Sequence, residues 1–140
     1  VYWYIIGFGG LENEIRSAII KEKMQDRVVL LGKISNPYPY IKQCTLYVQP
    51  SKSEGKAVTV TEAQILGKPV VITDYPTASS QLKDGYDGII APLDNEKCAR
   101  VICNLLNSPN SMKDLMNNCK ASDYSGKKYL DILLNIKAET

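Results

Sequence analysis

The chain has 140 residues, a formal charge of +2, 44% hydrophobic residues and no histidine. That length suits one domain around a single core, and so small and scattered a basic excess argues against nucleic acid or a membrane surface as the main partner. Without histidine the chain can supply neither a serine or cysteine triad nor a histidine general base.

The four cysteines, Cys44, Cys98, Cys103 and Cys119, include no Cys-x-x-Cys pair and have no histidine to complete a mixed zinc site. They read as reduced, mostly buried thiols of an intracellular protein. No stretch approaches the roughly 20 apolar residues of a membrane-spanning helix. The chain opens directly on a strand-like run without a leading methionine. We therefore expect a piece of a longer protein, cut close to a domain boundary.

In chain order, Val1 to Ile6 reads as a buried strand stopped by Gly7-Phe8-Gly9-Gly10. Leu11 to Lys23 follows, with Leu11, Ile15, Ala18 and Ile19 on one helix face. Val28 to Leu31 is a second strand. Pro37 to Gln43 suits a short helix with Asn36 as cap and Pro37 in its first turn. Leu46 to Gln49 is a third strand, ended by Pro50. Ala57 to Leu66 is a helix closed by Gly67 and Pro69. Val70 to Thr73 is a fourth strand, Thr77 to Lys83 a short helix, and Gly88 to Ala91 a last strand. Three terminal helices are expected over Asn95 to Asn107, Ser111 to Ser122 and Ser125 to Ile136.

Strand and helix alternate, and no hairpin signal joins neighbouring strands. The pattern predicts an α/β, Rossmann-like three-layer domain, its parallel sheet covered by helices on both faces. In such folds ligands sit beyond the carboxyl ends of the strands.

Two segments stand at strand-to-helix turns. In Gly7-Phe8-Gly9-Gly10 the glycines allow close backbone approach and the helix start favours anions. Glu12 occupies the place where a dinucleotide fingerprint needs another glycine, so a nicotinamide cofactor is poorly supported. A plain tight turn explains these glycines equally well. The second segment runs Pro50-Ser51-Lys52-Ser53-Glu54-Gly55-Lys56-Ala57-Val58-Thr59-Val60-Thr61-Glu62-Ala63. Free amides of the helix's first turn would face the crevice and can hold a diphosphate. Glu62, one and a half turns along, can accept hydrogen bonds from neighbouring ribose hydroxyls, and Glu54 can touch sugar hydroxyls. Taken singly, a glutamate at Glu54 is usually just a favourable charge at the helix dipole and one at Glu62 a solvated helix residue. Asp84-Gly85 and Asp87-Gly88 look like turn residues. No Asp-x-Asp occurs, so there is no sign of a metal-bridged diphosphate site.

The ordered set resembles the C-terminal domain of glycosyltransferase family 4 (group 1), retaining transferases with the GT-B fold. Gly7-Phe8-Gly9-Gly10-Leu11 is similar to its Gly-x-Gly-Pro-Leu turn, with Gly10 in place of proline. Asp26-Arg27-Val28 and Leu31-Gly32 look like the approach to its second strand. Glu54 and Glu62 match its Glu-x7-Glu motif after Gln49-Pro50-Ser51. Leu66-Gly67-Lys68-Pro69-Val70-Val71 and the Asp84-Gly85, Asp87-Gly88 loop follow in the family's order.

The resemblance implies a donor-binding domain over residues 1–140, lacking the acceptor-binding N-terminal domain. The enzyme would move a sugar with retention from a nucleoside diphosphate sugar, most commonly a UDP-sugar, to a glycan or lipid-linked acceptor in polysaccharide biosynthesis. It implies that Glu54 lies by the donor sugar as the catalytic residue and that Glu62 binds the ribose. Gly55 and the backbone at Lys56, Ala57 and Val58 would line the diphosphate and sugar. Ile34 would border the base, and Gly9 and Gly10 would lie close to the donor. No metal or other cofactor is expected. The setting implied is cytoplasmic, at the inner face of the membrane if the full-length protein associates with it peripherally. Lys56 departs from the aromatic residue of many members. The family's basic phosphate contacts would precede Val1. A nucleotide-sugar epimerase of the same architecture and a non-catalytic nucleotide-binding scaffold are the alternative readings.

Overall fold

The structure, a computed structural model, describes residues 1–124. The expected helix over Ser125 to Ile136 lies outside the described residues. The chain divides into two compact units, Val1–Pro39 and a second beginning at Tyr40.

In the first unit, β1 (Trp3–Ile6) pairs in parallel with β2 (Val28–Gly32), and α1 (Glu12–Lys21) connects them. Trp3 lies opposite Val28 and Ile5 opposite Leu30, with an irregularity between Ile5 and Ile6. Gly7 N–H extends the pairing to the Gly32 carbonyl at 2.9 Å. The strand expected to be buried over Val1 to Ile6 is shorter and only half covered. Tyr2 and Tyr4 are exposed, while Trp3 and Ile5 are half-buried. Side chains alternate between faces along a strand, and only one face of β1 is covered. Helix α1 buries none of its residues completely. Its first turn carries Glu12 and Glu14, which suit the positive end of the helix dipole, and Arg16 pairs with Glu12 one turn on at 2.7 Å.

Helix α2 (Tyr38–Gln43) crosses the boundary between the units. Asn36 stands at its start as expected, its Oδ1 accepting from Tyr38 N–H at 3.2 Å. Beyond it, the second unit holds β3 (Tyr47–Gln49), β4 (Val70–Thr73) and β5 (Ile89–Ala91), all parallel, in the order β3-β4-β5. All four residues of β4 are buried. Since successive residues point to opposite faces, the central strand is covered on both, which is why its sequence is apolar without alternation. Helix α3 (Val58–Ile65) packs on β3 and β4, α4 (Asn95–Leu106) on β5, and α5 (Pro109–Ala121) on α3 and α4. The parallel pairing predicted from the alternating pattern is thus present, carried by two sheets.

The core joins Val60 and Ala63 of α3 to Val70 and Ile72 of β4, with Ile41, Tyr75, Ala78 and Leu82 around them. The helix ends are chemically legible. Gly67, at φ +68°, ends α3: its N–H reaches the Gln64 carbonyl at 2.8 Å, and Lys68 N–H reaches that of Ala63 at 3.0 Å. This is the Schellman pattern, which a residue with a Cβ adopts only at a cost. Asp94 caps α4 by accepting from Lys97 N–H at 2.9 Å, and Pro109 opens α5. The helix expected over Thr77 to Lys83 is only a 3-10 turn, Ala78–Ser80. There Ser80 Oγ donates to the Thr77 carbonyl at 2.7 Å, a local side-chain bond of the kind that competes with helix propagation. Among the described residues no helix is long and apolar enough to cross a membrane.

Cys98 and Cys119 are buried, Cys44 is half-buried, Cys103 is exposed, and all four are unpaired. Burial pushes the Cys98, Cys119 and Cys44 thiols above their ordinary range.

Candidate functional site

The loop between β3 and α3 carries most of the residues singled out from the sequence. It leaves β3 at Gln49, runs through Pro50 to Lys56 and enters α3 at Val58. Ala57 is buried and anchors the loop's end in the core. Val58, Lys56 and Gly55 are exposed, and Glu54 and Glu62 are half-buried. The Glu54, Gly55, Lys56, Ala57, Val58 and Glu62 group therefore lies along one loop and the first two turns of one helix. Gly9, Gly10 and Ile34 belong to the first unit. There Gly9 and Gly10 have open space where a side chain would stand, and Ile34 is half-buried.

Glu54 is held rather than solvated. Its Oε1 accepts from Ser51 Oγ at 2.7 Å and from Gln49 Nε2 at 3.0 Å. Its carbonyl accepts from Thr77 Oγ1 at 2.7 Å. Gln49 is itself fixed, its Oε1 accepting from Tyr47 Oη at 3.0 Å and Thr59 Oγ1 at 2.9 Å. Thr73 Oγ1 donates a short bond to the Ser51 carbonyl. Burial pushes the Tyr47 hydroxyl above its ordinary range, offset by the Thr59 hydrogen bond, with the charges of Glu62 and Glu54 acting in the same upward sense. Both carboxylates thus bear on one half-buried phenol.

The amides at the start of α3 differ from the expectation of a free first turn. Ala57 N–H donates to Gln81 Oε1 at 3.1 Å, and Val58 N–H to the Lys56 carbonyl at 3.0 Å. Gln81 Nε2 donates in turn to the Gly55 carbonyl at 3.3 Å. Helices begin with unpaired N–H groups, and here a side chain 24 residues away serves one of them. Gln49, Thr77 and Gln81 were not legible as site residues, because each earns its place through partners remote in sequence or on another element.

Asp87, read from the sequence as a turn residue, is buried at 8% exposure. Its Oδ1 accepts from Lys83 N–H at 2.7 Å and its Oδ2 from Tyr124 Oη at 2.9 Å. Gly88 beside it is a glycine for want of room, since a Cβ there would stand 2.6 Å from Leu82 Cδ2 and 3.0 Å from the Val70 carbonyl.

The family model for glycosyl transferases group 1 matches residues 1–122. The chain belongs to the group 1 glycosyltransferase family. An uncharacterized glycosyltransferase of Methanocaldococcus jannaschii is 37% identical over 78 residues, 56% of this chain and 19% of that protein. A Campylobacter jejuni enzyme, named as an N-acetylgalactosamine-N,N'-diacetylbacillosaminyl-diphospho-undecaprenol 4-alpha-N-acetylgalactosaminyltransferase, is 31% identical over 93 residues, 66% of this chain and 26% of that protein. The crystal structure of a S. aureus TarM mutant in complex with Fondaparinux, alpha-GlcNAc-glycerol and UDP aligns with a TM-score of 0.83 at 25% identity, over 96% of this chain and 28% of that one. The fold is accordingly the α/β, Rossmann-like fold of GT-B glycosyltransferases. The chain covers about a fifth to a third of the curated relatives it matches (19%, 26% and 34% of the first three).

Proposed function

We propose that this chain is the donor-binding domain of a retaining glycosyltransferase of family 4. It binds a nucleoside diphosphate sugar, a UDP-sugar, whose sugar the whole protein passes to a glycan or lipid-linked acceptor in polysaccharide biosynthesis. The observation that carries this reading is the β3-to-α3 loop. It presents Glu54, oriented by two hydrogen bonds to a single oxygen, and Glu62, on the helix that follows, within one group 1 motif.

In this reading Glu62 accepts from the ribose hydroxyls, a bidentate contact suited to a carboxylate. Glu54 lies at the donor sugar as the catalytic residue, where a fixed negative charge stabilises positive character developing at the anomeric carbon. Gly55 admits the donor without a side chain in its way. The backbone at Lys56, Ala57 and Val58 lines the diphosphate, with the Ala57 contact made in exchange for Gln81. Gly9, Gly10 and Ile34 are further donor contacts in this reading. No metal or other cofactor takes part. The enzyme works in the cytoplasm, at the inner face of the membrane when its acceptor is lipid-linked. The Campylobacter relative, whose name includes a diphospho-undecaprenol acceptor, and the S. aureus structure in complex with UDP support these choices.

The test is calorimetry on the natural protein that carries this chain, with UDP and GDP as titrants. UDP binds more tightly, and Glu62→Ala lowers its affinity at least about tenfold, as loss of hydrogen bonds to a charged group requires. The isolated chain turns over no donor. Binding of neither nucleotide, or sugar transfer by the chain alone, would overturn the proposal.

A further inference from the structure

The two bonds on Glu54 have different consequences. Ser51 lies in the same loop as Glu54. Gln49 is the last residue of β3, a strand hydrogen-bonded to the buried β4, so its backbone is part of the rigid sheet. Its amide group uses both ends. The Nε2 donates to Glu54 at 3.0 Å, while the Oε1 accepts from Tyr47 Oη at 3.0 Å and Thr59 Oγ1 at 2.9 Å. The Glu54 carboxylate can only accept, so the amide keeps its N–H face turned toward Glu54 and its oxygen toward the two hydroxyls, which can donate to it. Both side-chain bonds reach Oε1 of Glu54, which leaves Oε2 as the oxygen for a ligand. Thr59 is on α3, so the same glutamine ties the orientation of Glu54 to the helix that carries Glu62.

We propose that Gln49 is a positioning residue. It fixes Glu54 Oε2 toward the donor sugar and couples that orientation to α3 through Thr59. The inference rests on the donor-binding reading above. It predicts that Gln49 governs recognition of the sugar and leaves the nucleotide untouched, a division that a merely structural role would not produce.

The experiment is calorimetry on the natural protein with UDP, UDP-glucose and UDP-N-acetylglucosamine as probes. The wild type binds one of the two UDP-sugars more tightly than UDP. Gln49→Ala reduces that sugar-dependent gain by roughly three- to tenfold, the range of one ordinary hydrogen bond, and leaves UDP affinity within about twofold. In a Glu54→Gln background the same substitution has little further effect, because the group it orients is no longer a carboxylate. Thr59→Val, nearly isosteric and well tolerated on an exposed helix position, moves the sugar-dependent gain in the same direction by less and serves should Gln49→Ala fail to fold. Equal losses for UDP and UDP-sugar, full additivity with Glu54→Gln, or an unchanged gain in both variants overturns the inference. So does a wild type that binds UDP yet gains nothing from either sugar, which leaves the nucleotide reading intact. Binding of no nucleotide at all removes that reading first and this inference with it.

Discussion

The Tyr124 hydroxyl donates to Asp87 Oδ2 at 2.9 Å across 37 residues of chain. It ties the segment leaving α5 to the loop before β5. Asp87 is buried, and its other oxygen accepts from Lys83 N–H at 2.7 Å. A second tie runs alongside, from Asn118 Nδ2 to the Tyr86 carbonyl at 2.9 Å.

Tyr124→Phe keeps the ring and removes the donor, leaving a buried carboxylate oxygen short of a partner. We expect a loss of about 1.5–3 kcal/mol in denaturant unfolding, the range for a hydrogen bond to a charged group. Burial holds the Tyr124 hydroxyl above its ordinary value of 10.0; the Ser122 hydrogen bond pulls it back, and the Asp87 hydrogen bond, with the charges of Cys119 and Asp87, pushes it up again. A raised pKa means the folded state prefers the neutral phenol. Its contribution is complete below the ordinary tyrosine pKa and is lost as the pH climbs beyond it. Tyr47 and Tyr75 are raised in the same sense. The alkaline decline in stability should therefore be shallower in the Phe variant without vanishing. A variant as stable as wild type with an identical alkaline slope would show the tie to be idle.

Gly88→Ala tests a different constraint. The new methyl would sit 2.6 Å from Leu82 Cδ2, which can shift, and 3.0 Å from the Val70 carbonyl, which belongs to the central strand and cannot. Overpacking of this kind costs about 1–3 kcal/mol. The midpoint of thermal unfolding should fall by several degrees, about 4–8 °C per kcal/mol in a domain of this size or slightly less. An unchanged midpoint would mean that β4 and β5 have slack at this point.

Gln64 offers the opposite case. It is fully buried on α3, its Oε1 has no hydrogen-bond partner, and its Nε2 reaches the Asp87 carbonyl only at 3.5 Å. That carbonyl also accepts from Cys119 Sγ at 3.2 Å, so it is not orphaned when Gln64 is removed. Gln64→Met has similar volume and no unsatisfied acceptor. It should be neutral or stabilising by up to about 1 kcal/mol, against the usual expectation for a core substitution. Destabilisation beyond about 2 kcal/mol in chemical unfolding would mean that the amide is satisfied by a group such as internal water.

These three residues mark where reading the sequence stops. Periodicity and punctuation are local, so the Gly67 ending of α3, the Asn36 start of α2 and the apolar β4 run are legible without coordinates. Glu54 and Glu62 are legible as a motif. What holds Glu54 is not, because Gln49 and Thr77 are ordinary polar residues until folding brings them to it. Asp87 carries the same letters as any turn Asp-Gly, and only its burial separates it from Asp84, whose carboxylate accepts from Ile90 N–H at the surface. Free amides in the first turn of α3 are the ordinary expectation for a helix start. A long-range cap from Gln81 and a tight local turn replace it.

The bond from Gln81 to Ala57 is one of a set. Thr73 to Ser51, Thr77 to Glu54, Gln81 to Gly55 and Ala57 to Gln81 all link residues 22 to 26 positions apart. They stitch the stretch after β3 to the end of β4 and the stretch that follows it. Neither stretch can open by itself without leaving the polar groups of the other unpaired. Their amide hydrogens should therefore exchange with solvent as one cooperative group, at a common rate slower than that of the surface turns on either side.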